Sequence, residues 1–187
     1  MTNLNRDPII NVIYNGIKKD IRVALENECY RGAVILIYSG IDTMAFLNMP
    51  SQQVDVTKDD FVEWAEKYIH FPGKDQLTGL DMYGARCGAL HNYGTSSRLY
   101  REGQCRQISY TTKSNPPAVS YAPHIDKSLV LVSIEALAEA FFNGVNKFLI
   151  DLFADSTTAT AKAAESRLQH IFHVLPMEDK PHDGNAV

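Results

Sequence analysis

The stretch Ile134–Phe153, IEALAEAFFNGVNKFLIDLF, has the clearest structural pattern in the chain. Its apolar residues recur at intervals of three and four, which places them on one face of an α-helix. These residues are Ile134, Leu137, Ala138, Phe141, Phe142, Val145, Phe148, Leu149, Leu152 and Phe153. The pattern predicts one long helix and, with similar spacings elsewhere, a mainly α-helical bundle.

Helical spacing also marks four segments before this stretch and one after it. We expect helices that start at Asp7-Pro8, run from Tyr30 to Leu47, start after Thr57, run from Lys74 to Asn92, and run from Thr157 to Val174. Asp7 and Thr57 are predicted N-caps, and Asp60 adds a weak capping box to Thr57. The segment from Tyr30 is apolar nearly all round, so we expect it to be the central, most buried helix.

The helical period disappears between Tyr93 and Ser128. CRQISYTT (105–112) and SLVLVS (128–133) read as short strands, separated by the Pro116-Pro117 loop. We therefore expect a small β-hairpin insertion around residues 104–132. Residues 1–175 are predicted to form a single helical domain, and the polar segment 176–187 a disordered tail.

The composition limits the function classes. The net charge of −4 argues against generic adhesion to nucleic acid. The apolar run GAVILIYSGIDTMAFL (32–47) is shorter than the roughly 20 residues that span a bilayer, and no signal peptide is evident. Cys29, Cys87 and Cys105 have an odd count and scattered spacing, which indicates neither disulfides nor a CxxC site. We expect a cytoplasmic protein with no membrane segment.

One segment differs from the acidic remainder of the chain. Residues 86–113 contain five Lys or Arg residues and one acid, Glu102. Phosphate-binding glycine loops and a serine nucleophile motif are absent. His170 and His173 share a helix face without a further ligand nearby, so we predict no metal site and no cofactor.

The sequence RCGALH (86–91) places Arg86 and His91 five residues apart in the fourth predicted helix. On an ideal helix the two side chains point about 140° apart. They can act together if the helix loosens near His91, or if two copies of the helix meet in a dimer. Gly84 and Gly88 would make such a close approach easier.

Arginine with histidine suits RNA cleavage by the 2′-hydroxyl without a metal. Histidine can transfer the proton, and a bidentate guanidinium can stabilise the phosphorane oxygens. The remaining candidate RNA-binding residues follow closely in the sequence: Asn92, Tyr93, Arg98, Tyr100, Arg101 and Arg106. The structural alternative is that Arg86 pairs with Asp42 or Asp81 and that His91 caps the helix.

Arg86, four intervening residues and His91, late in a helix, resemble the R-x4-6-H motif of the HEPN superfamily. The resemblance covers roughly Pro8 to Gly103. It implies a helical bundle and a homodimeric, metal-independent ribonuclease of a defence or toxin–antitoxin system. It also implies that Arg86 and His91 are the catalytic pair, that Asp42 orients Arg86, and that an antitoxin or another protein is a partner.

The HEPN resemblance leaves a second function open. Active members often carry a polar residue after the arginine, where this chain has Cys87. Some members are inactive, and they only bind a nucleotide, RNA or a partner protein. The alternative expectation is therefore a non-catalytic helical dimer with such a binding role.

Overall fold

The α-helices of the computed structural model, which describes residues 8–112 and 118–171, surround one central helix. A π-helical segment, Ile9–Lys18, runs directly into α1. The α-helices are α1 (Lys19–Glu26), α2 (Tyr30–Asn48), α3 (Lys58–Tyr68), α4 (Gly79–Asn92), α5 (Arg98–Arg101), α6 (Ile134–Phe153) and α7 (Ala159–Leu168). The mainly helical fold class is confirmed, and α6 has the predicted bounds.

Helix α2 lies at the centre, as its apolar sequence predicts. It packs against α1, α3, α4, α6 and α7. Ile37 and Ile41 of α2 are fully buried, together with Trp64 of α3 and Phe148 of α6. The rings of Trp64 and Phe148 meet edge to face, with centroids 5.8 Å apart. Aromatic and branched side chains thus fill the space between α2, α3 and α6.

Two helices begin at reciprocal capping boxes. At α3, Thr57 Oγ1 accepts from the Asp60 backbone N–H, and Asp60 Oδ2 accepts from the Thr57 N–H at 2.7 Å. This confirms the predicted start. Helix α4 begins at Gly79 rather than Lys74, because Thr78 and Asp81 form the same arrangement there. The capping box satisfies backbone N–H groups that would otherwise lack partners.

The insertion is a three-stranded sheet with the strand order β1-β3-β2. Its strands are β1 (Gln107–Thr111), β2 (Val119–Tyr121) and β3 (Leu129–Ser133). The predicted strands β1 and β3 are present, but they pair in parallel, and β2 forms the hairpin with β3. The prediction that β1 and β3 form a hairpin with each other was therefore wrong. The three-residue strand β2 is too short to give an alternating pattern.

Several expectations fall outside the described residues. These are Asp7 as an N-cap, the Pro116-Pro117 loop, the end of the last helix at Val174, and the tail 176–187. The last helix begins at Ala159, where Thr158 Oγ1 accepts from the Ala161 N–H at 3.1 Å. Among residues 8–112 and 118–171, no helix has the length and apolar composition needed to cross a membrane.

We expect Gly144→Ala to destabilise the packing of α6 on α3. A Cβ atom at Gly144 would lie 2.6 Å from the carbonyl oxygen of Tyr68, and a backbone atom cannot easily move away. The free energy of unfolding should fall by about 1–3 kcal/mol in urea titrations. Gly32→Ala is the matched control, since nothing lies within 4 Å of its Cβ position. The control should be neutral or stabilising by up to about 1 kcal/mol. Equal unfolding midpoints for both variants would contradict this packing.

Candidate active site

Arg86 of α4 forms an ion pair with Asp42 of α2. Its Nε and Nη2 atoms both lie 2.9 Å from Asp42 Oδ2. The side chains are 22% and 26% exposed, so neither is fully solvated. The guanidinium carbon also lies 5.8 Å from the ring centroid of Tyr83, one turn earlier in α4. These contacts hold the guanidinium in one orientation.

The ion pair keeps Arg86 charged. Burial tends to lower the pKa of Arg86, but the charge and hydrogen bond of Asp42 outweigh burial and raise it. Burial raises the pKa of Asp42, against the opposing effect of Arg86. Arg86 is therefore cationic. Asp42 contacts its Nε and Nη2 atoms, so the positive charge at Nη1 is only partly offset.

His91 meets Arg86 within a single chain. Arg86 Nη1 lies 3.4 Å from His91 Nε2, a long contact for a hydrogen bond. A guanidinium can only donate, so a hydrogen bond at this contact requires Nε2 as the acceptor. The expectation that the two side chains point too far apart on one regular helix was wrong. Helix α4 is regular through Asn92, and the long arginine side chain closes the distance.

His91 does not cap α4. The helix is closed by backbone bonds instead, from the Tyr93 N–H to the Ala89 carbonyl and from the Gly94 N–H to the Gly88 carbonyl, each at 3.1 Å. Tyr93 takes a left-handed conformation with φ of 52°. The imidazole of His91 is therefore exposed at the helix end.

The glycines of α4 serve packing within the chain. A Cβ atom at Gly88 would lie 2.8 Å from the carbonyl oxygen of Gly94, and one at Gly84 would meet Cys105 Sγ. The segment after α4 therefore folds back against the helix. The interpretation that Gly84 and Gly88 leave room for a second copy of the helix loses its basis.

A cleft of about 560 Å³ has His91 in its lining, whereas Arg86 adjoins it through its contact with His91. Three side chains of α4 at intervals of four residues, Tyr83, Cys87 and His91, form one wall. The other lining residues are Lys58, Asn92, Ser97, Arg98, Leu99, Arg101 and Gln104. The lining contains three cations and no described acid, while Asp42 lies close enough behind the cleft to interact electrostatically with His91.

Helix α5 brings its arginines to the cleft because of two buried residues. Ser97 is its N-cap and accepts from the Tyr100 N–H at 3.3 Å, and Leu99 anchors the turn in the interior. Arg98 and Arg101 are then exposed at the cleft, with Arg98 in a weak surface pair with Glu102 at 3.6 Å. Both arginines thus line the same cleft as His91, and their contact with RNA stays a prediction.

Arg106 has a different position from the predicted one. Its guanidinium pairs with the buried Asp81, donates to the Gln76 carbonyl at 3.0 Å, and contacts the Tyr121 hydroxyl. The Arg106 backbone N–H also donates to Asp81 at 2.8 Å. Arg106 thus joins β1 to the start of α4, and we omit it from the candidate RNA contacts. Tyr93 lines a separate groove rather than this cleft.

Lys58, Tyr83, Cys87 and Gln104 were not predicted as lining residues. The helical spacing of Tyr83, Cys87 and His91 is visible in the sequence and could have identified that wall. Lys58 starts a different helix, and no local signal connects it to His91. In residues 8–112 and 118–171, no three His, Cys, Asp or Glu side chains are placed to hold a metal ion. His173 lies outside those residues.

Comparison of the chain with protein-family models, curated proteins and solved structures gives no match.

We expect Asp42→Ala to destabilise the protein because it leaves the half-buried Arg86 without its partner. The free energy of unfolding should fall by about 1–2 kcal/mol in urea titrations, since partial exposure reduces the cost. The double variant Asp42→Ala/Arg86→Met should lose less than the sum of the two single losses. Additive losses would show that the two side chains are not coupled.

The Asp81–Arg106 pair should make stability depend on acid pH. Burial would raise the pKa of Asp81, but hydrogen bonds from Arg106 and Thr78 hold it below its ordinary value of 3.8. The stabilisation is therefore complete above that value and is lost as the pH falls through the lower, folded pKa. Asp81→Asn should cost about 2–3 kcal/mol at neutral pH, and less below pH 3.8.

Asp59→Asn is the control for this measurement, because the Asp59 side chain is 88% exposed. Urea titrations of both variants and the wild type across the acid range give the required differences. A pH-independent cost for Asp81→Asn would contradict the assigned role of the carboxylate.

Proposed function

We propose that the protein is a metal-independent endoribonuclease of the HEPN type. The observation that carries the proposal is the contact of Arg86 Nη1 with His91 Nε2, at the edge of a cleft lined by cations and by no described acid. The hydrogen bond from Arg86 to Asp42 supports the orienting role that the resemblance implies for Asp42. A phosphodiester in this cleft would meet a fixed positive charge and a proton acceptor side by side.

Arg86 has the geometry to stabilise charge on phosphorus. Asp42 engages the Nε and Nη2 side of the guanidinium, and Nη1 remains directed toward His91. A phosphoryl oxygen that replaces His91 Nε2 as the acceptor of Nη1 would receive a charge-assisted hydrogen bond. Negative charge develops on these oxygens in the transition state, so a preoriented guanidinium lowers the barrier.

His91 would transfer the proton. Once a phosphoryl oxygen has taken the hydrogen bond of Arg86 Nη1, the lone pair of Nε2 is released, and it accepts the proton of the ribose 2′-hydroxyl while the bond from the 2′-oxygen to phosphorus forms. The bond from phosphorus to the 5′-oxygen then breaks, and the imidazolium returns the proton to that oxygen. The products are a 2′,3′-cyclic phosphate and a 5′-hydroxyl, and no other reactant is required.

The surroundings of the pair would hold the RNA backbone. Lys58, Arg98 and Arg101 supply positive charge, and Asn92 supplies a polar side chain beside His91. We propose that the active form is a homodimer in which each chain brings its own Arg–His pair. A defence or toxin–antitoxin role, with an antitoxin as a partner, completes the proposal. A cytoplasmic location is supported by free thiols at all three cysteines.

One observation favours the non-catalytic alternative. The Arg86–Asp42 ion pair links α2 and α4, and a purely structural role explains that contact by itself. In this alternative the cationic cleft binds a nucleotide, RNA or a protein partner without cleavage. The two functions differ in their requirement for the His91 imidazole.

Cleavage of end-labelled single-stranded RNA in EDTA tests the proposal. The wild type should release products with 2′,3′-cyclic phosphate ends, and His91→Ala should cleave at least about 100-fold more slowly because proton transfer is lost. His124→Ala is the matched control, since His124 is also exposed but lines neither the cleft nor the separate groove. It should cleave like the wild type.

Light scattering of the same samples should show dimers for all three proteins. Equal cleavage by the wild type and His91→Ala would assign the activity to another site. Absence of cleavage by a folded, dimeric wild type that binds RNA would support the binding alternative.

A further inference from the structure

A second groove lies on the opposite side of the end of α4. Its volume is about 890 Å³, and it is enclosed by the N-terminal end of α2, the end of α4 and β1. The lining residues that matter here are Tyr30, Arg31, Tyr93, Ser109, Tyr110 and Thr112. The proposed cleavage reaction does not use this groove. We call it the flanking groove.

The flanking groove and the cleft lie close to each other, on either side of the end of α4. His91 and Asn92 line the cleft, whereas Ala89 and Tyr93 line the flanking groove. Successive Cα atoms are 3.8 Å apart, so those of His91 and Tyr93 lie within about 7.6 Å of each other. An RNA strand with a phosphate at His91 that passes around the end of α4 would bring its neighbouring nucleotide to Tyr93.

Tyr93 offers a ring on which a base can stack. Its side chain is 66% exposed, and its left-handed backbone turns it out of α4 at the rim of the groove. That conformation costs roughly 1–2 kcal/mol for a residue other than glycine. The two backbone bonds that close the helix hold it there. Exposed aromatic rings beside cationic grooves are the usual surfaces for unpaired bases.

Two tyrosine hydroxyls form a hydrogen bond beside the groove. The hydroxyl oxygens of Tyr38 and Tyr110 are 2.6 Å apart. Tyr38 is fully buried, whereas Tyr110 borders the groove. This hydrogen bond attaches the groove wall to the core of the bundle.

The positive charge of the groove is confined to the start of α2. Arg31 lines the groove, and the N-cap residue Cys29 makes no side-chain hydrogen bond to the first turn of α2. The N–H groups of that turn therefore add their partial positive charge to that of Arg31. Glu28, the one acid among the described lining residues, offsets part of this charge, so a phosphate would be attracted close to Arg31 rather than by the groove as a whole.

We propose that the flanking groove binds the nucleotide next to the scissile phosphate, with its base on the Tyr93 ring and its far phosphate toward Arg31. The register of this nucleotide rests on the proposed function, which places the scissile phosphate at Arg86 and His91. A base can stack on Tyr93 only if it is unpaired, so the substrate class is single-stranded RNA.

Fluorescence anisotropy with fluorescein-labelled RNA tests the groove without relying on cleavage. The His91→Ala protein serves as the reference, so that the probe stays intact. Tyr93→Asn should weaken binding of a single-stranded RNA by at least about 5-fold, because one stacked base is lost. Asparagine tolerates the left-handed backbone, so thermal unfolding should be unchanged. Tyr93→Phe keeps the ring and should bind like the reference.

Arg31→Gln provides a second, independent variant. It should weaken binding of the single strand and reduce its salt dependence, while Arg22→Gln, an exposed arginine of α1 outside the groove, should leave both unchanged. An RNA duplex of the same sequence should bind the same in the reference, Tyr93→Asn and Tyr93→Phe proteins.

Three results would contradict the proposed role of the flanking groove: no binding of the single strand, equal binding by Tyr93→Asn and the reference, or an equal loss of binding with the duplex. If the wild type cleaves RNA and any of these results is found, the nuclease activity is supported and only the role of the groove is contradicted. If binding depends on Tyr93 but the wild type does not cleave RNA, the role of the groove is supported and the nuclease activity is contradicted.

Discussion

A carboxylate on the most buried helix must be paired, and this constraint ties Asp42 to Arg86. Helix α2 packs against α1, α3, α4, α6 and α7, and its side chains are mostly apolar. An unpaired charge on that helix would carry a large desolvation cost, so α4 has to present a cation at the level of Asp42. The same contact fixes the rotation of α4 about its axis. That rotation places Tyr83, Cys87 and His91 along the cleft.

Helix α4 takes part in two ion pairs, Asp81–Arg106 and Arg86–Asp42, which have different roles. At the start of the helix, Asp81 is almost fully enclosed and satisfies both Arg106 and the cap residue Thr78. That pair attaches β1, and with it the sheet, to the helical layer. Nearer the other end, the Asp42 side chain is 26% exposed, against 3% for Asp81, and Arg86 Nη1 is directed toward His91. The pair with the enclosed carboxylate therefore serves the fold, whereas the Arg86–Asp42 pair adjoins a side chain that lines the cleft.

Local patterns predicted the parts of the fold that depend on neighbours in sequence. The 3–4 spacing gave the bounds of α6, and the Thr57/Asp60 pair gave the start of α3. Thr78 and Asp81 have the same spacing as Thr57 and Asp60, so the start of α4 could also have been predicted from the sequence. The pairing of β1 with β3, the attachment of Arg106 to Asp81, and the position of Lys58 depend on contacts distant in sequence. No spacing rule predicts such contacts. For this reason Arg106, one of the three predicted RNA-binding arginines, was assigned the wrong role.

The position of Cys87 determines how the cleft can attract a phosphodiester. Cys87 lies between Tyr83 and His91 on the same face of α4, directly beside the expected position of the phosphate. A thiol is a weak hydrogen-bond donor, so it adds little to anion binding. Arg86 is then the one permanent cation that α4 itself contributes. Further attraction has to come from Lys58, Arg98 and Arg101, which are exposed and screened by salt. Ground-state affinity should therefore depend on ionic strength, whereas the orientation of Arg86, fixed by a partly buried carboxylate, should not. In the proposed reaction, binding and transition-state stabilisation would thus rest on two physically separate groups of charges.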